Sequence, residues 1–204
     1  MQAAATQHES KTRFLDAALR VIRTKGYEAT TVDDLCAAAG LTKGSFFHHF
    51  DGKEALALEA ARHFGAHAQA VFASAPYQSL ADPLARLLGY VDFRRALLKG
   101  ELPEFTCLLG TMVQETYETH PAIRAACDEQ LKEHVVTLAG LVAEAKKRYT
   151  PRAKWSAQSI ANFTQATIQG AFVLAKAQHD AAVADECLLH LRRYLALLFT
   201  KPKE

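Results

Sequence analysis

The chain is poor in the residues and patterns that mark several kinds of protein. Its 204 residues include 4 cysteines, 2 methionines, 1 tryptophan and 6 prolines. Cys36, Cys107, Cys127 and Cys187 are scattered and form no C-x-x-C pair. They are expected as free thiols in a reducing compartment, not as a disulfide framework. No apolar run approaches the length of a membrane-spanning helix. The opening stretch MQAAATQHESKTR has no apolar centre and does not read as a secretory leader, so a cytoplasmic location is expected. The G-x-S-x-G elbow and the G-x-x-x-x-G-K loop are missing, and with them the signatures of a serine hydrolase and a nucleotide site. Valine and isoleucine never alternate over a strand's length, so no sheet is expected. His179, Asp180, Asp185, Glu186, Cys187 and His190 gather near the end, but their spacing fits no tetrahedral metal site. Neither enzyme activity, metal nor cofactor is expected.

What is present is helix. Half the residues are hydrophobic (50%) and 23% are charged, enough to bury a sizeable core in one or two domains. The net charge is only +2, and residues 1–69 carry as many acidic as basic side chains.

The most informative stretch is Thr31 to Phe50, TVDDLCAAAGLTKGSFFHHF. Thr31 with Asp34 three residues on is a capping-box pattern. Val32, Leu35, Cys36 and Ala39 then recur on one helical face. Gly40 suits the left-handed end of that helix. Thr42 caps a second short helix, with Phe46 and Phe50 four apart on its inner side. Helix, glycine turn, helix is the helix-turn-helix pattern. The second helix of such a unit can enter a major groove with its N-terminal residues on base edges, and its free backbone N–H groups suit phosphate. The candidate DNA-contacting set is Thr31, Thr42, Lys43, Gly44, Ser45, Phe47, His48, His49 and Lys53. With the region neutral overall, the positive field must be local, near Lys43, Lys53, Lys11 and Arg13.

The surroundings carry a resemblance. The strings FLxAA from residue 14, KGYxxTTVxDL from residue 25, AGLTKGSFFHHF from residue 39 and KEAL from residue 53 resemble the TetR-type transcriptional regulators. The likeness is dense and ungapped from about residue 11 to 58; beyond residue 75 it rests on helical pattern and a few short strings. The family often has Tyr at positions 47 and 49, where this chain has Phe47 and His49. The resemblance implies an all-α fold, with a three-helix DNA-binding head followed by a larger helical effector-binding and dimerisation domain. It also implies a homodimer formed through a four-helix bundle, binding a double-stranded DNA operator, with a small-molecule effector as the third partner.

Taken in order, Ser10–Lys25 is expected as the first helix, with Phe14, Ala17, Ala18 and Val21 inward. A fourth helix, capped by Asp51, runs to about Ala73, and Ser74-Ala-Pro76 breaks it. The domains are then 9–69, holding the motif at 31–50, and 76–200. Later helices are expected from Asp82-Pro83 to near Gly100, Glu104 to Tyr117, Pro121 to about Arg148, Ser156 to Gln178 and Asp180 to Phe199.

Two of these later helices carry seam patterns. Leu188, Leu191, Leu195 and Leu198 step by three, four and three, and Ile160, Phe163, Thr167 and Ala171 step similarly. These eight are the expected dimer interface, although the same spacing also fits burial within one chain. Phe72, Tyr90, Phe93, Phe105, Cys107, Met112, Tyr117, Phe163 and Phe172 are available to line an effector pocket. Each equally fits ordinary core.

The expected function is a ligand-responsive, sequence-specific repressor released from its operator by a small effector. One alternative is a thiol-based sensor of electrophiles or oxidants. Cys107 opens the string CLLG, and similar strings appear in a branch of the family that responds through a thiol there; Lys176, on the penultimate helix, would lower the thiol's pKa. Another alternative is a helical protein-binding or architectural module without operator recognition.

Overall fold

The structure, a computed structural model, describes residues 2–200, with side chains from Glu9 onward. The expectation that residues 1–13 hold no secretory leader therefore falls partly outside the described residues. Among the described residues it is all-α, with no strand. In order, the helices are α1 (Gln2–Lys25), α2 (Val32–Ala39), α3 (Lys43–His49), α4 (Lys53–Ala73), a 3-10 turn (Pro76–Ser79), α5 (Pro83–Ala96), α6 (Leu102–Phe105), α7 (Leu108–Thr116), α8 (Pro121–Tyr149), α9 (Ala157–Gln178) and α10 (Ala181–Leu198). No described helix is long and apolar enough to cross a membrane.

Local chemistry sets the boundaries. Thr31, Thr42, Asp82, Ser156 and Asp180 each cap the helix that follows through a side-chain oxygen. Gly40 ends α2 at φ 62°, in the left-handed region. His179 ends α9 at φ 53°, without glycine's steric freedom. Two expectations are corrected. The first helix begins at Gln2, well before Ser10. The single helix expected over Glu104 to Tyr117 is two, α6 and α7, because the chain turns at Thr106 and Cys107 becomes the cap of α7.

The chain divides into two compact units. The first takes residues up to Ala68 together with Thr106–Leu131; the second takes Gln69–Phe105 together with residues from Lys132 on. The divisions fall inside α4 and α8. A boundary at 69 to 76, as expected from the sequence, would have left α7 out of the first unit.

The first unit's core holds Phe14, Ile22, Leu35, Phe46 and Leu56, all at 0% exposure, with Phe50, Leu108 and Met112. Phe14 packs edge-on to Phe46 at 5.4 Å between ring centres and to Phe50 at 6.2 Å. The loop between α1 and α2 is held from two sides. Lys53 donates to the Tyr27 and Glu28 carbonyls at 3.0 and 3.2 Å, and its ammonium stands 4.3 Å from the Tyr27 ring centre. Glu115 accepts the Glu28 N–H at 2.9 Å and lies so close over Gly26 that a Cβ there would stand 2.2 Å from its Oε1.

In the second unit the seam expectation is corrected for five of its eight residues, while Leu198 and Thr167 are partly exposed and Phe163 is exposed. Leu188 and Leu195 are fully buried and Leu191 nearly so, and Ile160 and Ala171 are buried too. Packed within their own unit, where α10 lies against α9 and α5, they cannot face a second copy. Phe163 and Thr167 lie on the other side of α9. The outward stripes are Phe163, Gly170, Val173 and Leu174 on α9, and His190, Tyr194 and Leu197 on α10. Phe163 and Tyr194 join them, ring centres 5.0 Å apart.

Burial separates two leucines six residues apart. Leu191→Asp places an unpaired carboxylate in the core and is expected to cost several kcal/mol, unfolding the second unit. Leu197→Asp alters a side chain that is 69% exposed within the protomer and should leave the helices of that unit folded, any change in melting temperature coming from weaker association of protomers. Thermal melts followed by circular dichroism check the contrast.

Candidate nucleic-acid interface and effector site

α3 has only seven residues, too few to hold a helix in water unaided. Phe46 and Phe50 fix it against Phe14, and that choice of inner face turns the rest outward. Thr42, Lys43, Gly44, Phe47 and His48 are exposed and Ser45 is partly so. Phe47 is 58% exposed, uncommon for a phenylalanine. Thr42 accepts the Ser45 N–H at 3.2 Å. At the start of α2, Thr31 accepts the Asp34 N–H while its own N–H and hydroxyl donate to Asp34 at 2.8 and 2.6 Å. The Lys25 hydrogen bond, then those from Thr31, hold the Asp34 carboxyl well below the usual carboxylate range.

Several expected DNA-contacting groups already have partners. Lys43 pairs with Asp33 at 2.8 Å, both side chains well exposed. Lys11 pairs with Glu59 at 2.6 Å. Arg13 donates to the Ala39 carbonyl at 2.6 Å and so pins the end of α2. His49 turns inward, its Nε2 2.7 Å from the Ser10 hydroxyl. Burial first, then His48 and Lys11, keep its imidazole below the ordinary value. Lys53 braces the loop described above. His49 and Lys53 thus support the head from inside, a role that their polarity alone did not reveal. A shallow groove of about 770 Å³ runs between α1 and α2, lined in part by Arg13, Asp16, Arg20, Lys25 and Asp34; none of the expected pocket side chains lines it.

The expected pocket residues do not form one group. Phe72, Tyr90 and Phe93 do meet, with ring centres 5.6 and 5.7 Å from Phe72, and Tyr77 and His134 join them. Phe105 and Phe172 form a separate pair at 6.1 Å. Met112 is first-unit core, Tyr117 is 55% exposed at the end of α7, and Phe163 is on the outer stripe. Cys107 belongs to the first unit and Lys176 to the second. Sequence reasoning missed Tyr77, Arg94 and His134; of the three only Arg94, four residues after Tyr90 on α5, had a local signal, while Tyr77 and His134 come from other elements. His134 Nε2 lies 2.8 Å from the Tyr90 hydroxyl. Burial foremost, then the Arg94 charge, push its imidazole down to about 3.

A three-helix head that presents a capped recognition helix outward, on a chain with a second helical unit, defines a helix-turn-helix regulator of transcription. Residues 14–60 match the profile of "Bacterial regulatory proteins, tetR family", and residues 83–191 match "Tetracyclin repressor-like, C-terminal domain". The chain belongs to the tetR family of bacterial regulatory proteins, whose members are DNA-binding regulators rather than enzymes and bind operator DNA as homodimers that respond to small molecules. Among its relatives are the HTH-type transcriptional repressor DhaR of Mycobacterium sp. strain GP1, 25% identical over 86% of each chain, and the HTH-type transcriptional regulator LmrA of Bacillus subtilis, 28% identical over 81% of this chain and 86% of that one. A TetR regulator from Chloroflexus aurantiacus shares the fold at a TM-score of 0.81, with 25% identity over 94% of this chain and 96% of that one.

The His134 imidazole has a pH consequence. Its folded value lies far below the ordinary 6.5, so below about 6.5 the unfolded chain binds a proton that the folded one refuses. Stability should therefore fall as pH drops from about 6.5 toward 3. His134→Gln should remove this component and flatten the profile. Denaturant midpoints of both proteins across that range measure it.

Proposed function

We propose that the chain is an effector-released repressor that works in the cytoplasm and reads two operator half-sites as a homodimer. The observation that carries this is the outward side of α3. Lys43 and the helix N-terminus at Thr42 to Ser45 suit phosphate. Gly44 lets the backbone come close, Phe47 offers an apolar contact of the kind thymine methyls accept, and His48 can donate to a base edge or phosphate. Thr31 sets the start of α2, the helix that crosses the backbone in such units. The partner face is the stripe Phe163, Val173, Leu174, Tyr194 and Leu197, with Gly170 open enough for a second helix to approach. Large apolar side chains gathered on one face favour an interface, and Leu197→Asp is the variant that should separate the protomers. The effector binds in the second unit and shifts the spacing of the two heads away from the half-site separation.

The test is a footprint and gel-shift series on DNA flanking the chain's own gene. Lys43→Ala should weaken binding to every sequence and lower the salt slope by about one. Asp33→Asn should do the opposite, because it frees the Lys43 ammonium that the carboxylate now holds. If neither variant differs from wild type, α3 is not the DNA-facing helix.

A second reading is favoured by one contact. Cys107 caps α7, and the Gly110 N–H points at its sulfur at 3.5 Å. Cys107 is only partly buried, so a reagent can reach its sulfur. Cys127 is a poor competitor, since burial foremost, with the charge of Cys107, pushes its thiol up to about 12. N-ethylmaleimide should release the wild-type protein from its operator and spare Cys107→Ser; equal release from both, or labelling that misses Cys107, rules out a thiol switch there. Lys176 is not needed for this mechanism.

A further inference from the structure

We propose that Arg94 reads an anionic group on the effector, and that the effector is a small organic carboxylate with an apolar or aromatic body. This rests on the second unit being the effector-binding one.

Arg94 lies on the inward face of α5, one turn beyond Tyr90 and Val91. Its guanidinium carbon stands 4.9 Å from the Phe72 ring centre and 5.8 Å from that of Tyr90. The other arginines of the same helix have carboxylate partners. Arg86 meets Glu144 at 2.7 Å, and Arg95 grips Asp185 with two hydrogen bonds at 2.8 and 2.9 Å. Asp92, the acid nearest to Arg94 in the sequence, is held by Arg192 at 2.8 Å. Among the described residues Arg94 has no acidic partner, and its Nε is buried with no hydrogen-bond acceptor. The titratable side chains around it, Tyr77, Tyr90 and His134, are all neutral near pH 7.

This is an unusual place for a charge. A guanidinium cannot shed its proton as a buried lysine or histidine can, and a partly desolvated charge without a counter-ion is costly. Arg94 is half-buried, so a solute can reach the side chain although Nε is sealed off. The planar fork matches a carboxylate in bidentate geometry. The aromatic floor beneath it favours a flat or greasy body over a sugar or a polyamine. The hydrogen-bonded Tyr90 and His134 fix the position of that floor.

The experiment uses the full-length protein and two matched pairs of probes: phenylacetate with phenylacetamide, and octanoate with octanamide. Calorimetry and melting temperature read binding to wild type, Arg94→Met and Arg94→Lys, with circular dichroism confirming that each is folded. Wild type should bind at least one acid about tenfold or more tightly than its amide, as expected for losing a charge-assisted pair, and the acid should raise its melting temperature. Arg94→Met should lose the preference for the acid while its amide affinity and operator gel shift stay as in wild type. Arg94→Lys keeps the charge without the fork and should retain only part of the preference. Acid and amide binding wild type equally, no saturable acid binding, or an undiminished preference in Arg94→Met each overturn the proposal. Arg94-dependent binding of inorganic phosphate in place of either acid overturns the carboxylate assignment. Loss of the ligand-free operator gel shift in wild type would instead count against the DNA-binding assignment of α3.

Discussion

The head depends on three phenylalanine rings. α3 is too short to persist alone, so its existence and its rotation come from burial of Phe46 and Phe50 against Phe14. Rotating α3 by one residue position would bring Phe47 inward and expose Phe46. The edge-to-face packing of Phe14 on Phe46 and Phe50 penalises that through lost burial and through ring geometry. Lys43, Phe47 and His48 are outward because those rings are inward. The flanking contacts serve the same end: Arg13 pins the end of α2, and Lys53 and Glu115 hold the loop before it. A recognition helix needs its side chains held to a fraction of an ångström on rigid support, and here that support comes from both ends of its helix-turn-helix partner.

How much of this was legible depends on the range of the interaction. Caps and the glycine turn were readable because their chemistry closes within three or four residues: Thr31 with Asp34, Thr42 with Ser45, Gly40 on its own. The family strings made the head legible as well. The break between α6 and α7 was not, because cysteine is not among the usual cap residues and Phe105 to Leu108 contains no glycine or proline. The leucines of α10 illustrate a deeper limit. A three-four spacing says that a face meets apolar surface; it does not say whether that surface belongs to the same chain. Leu188, Leu191 and Leu195 meet their own unit, while the weaker stripe through Phe163, Gly170 and Leu174 is left exposed. The pocket residues failed for a related reason. A list of large rings carries no information on which rings share a neighbourhood, and Met112 and Tyr117 fold with the first unit.

Charge placement separates the two units in kind. In the head the cations are compensated on the surface: Lys43 by Asp33, Lys11 by Glu59, Lys25 by Asp34. Exposed pairs of this sort contribute little, about 0 to 1 kcal/mol, and salt screens them. A phosphate can therefore displace Asp33 from Lys43 at small cost, whereas Lys53, held by two carbonyls and a ring, cannot be recruited so freely. The neutral balance of residues 1–69 is then compatible with DNA binding. It limits attraction at a distance and leaves discrimination to the contacts that form when α3 is seated, which suits a protein that must leave non-specific DNA easily.

Arg94 is the opposite case. Its charge is partly withdrawn from water, stacked on aromatic faces and left without a carboxylate, although Arg86, Arg95 and Arg192 in the same unit all have one. A pair on the surface trades one weak partner for another when a ligand arrives; a guanidinium that has only Tyr90 and aromatic faces around it gains its first anionic partner. The free energy available from occupying it is correspondingly larger, because the desolvation has already been incurred in the ligand-free fold and need not be supplied again on binding. A regulator needs this asymmetry. An effector can shift a conformational balance only by as much as it prefers one state over the other, and a half-buried cation without a counter-ion gives a preference to any state in which it meets an anion.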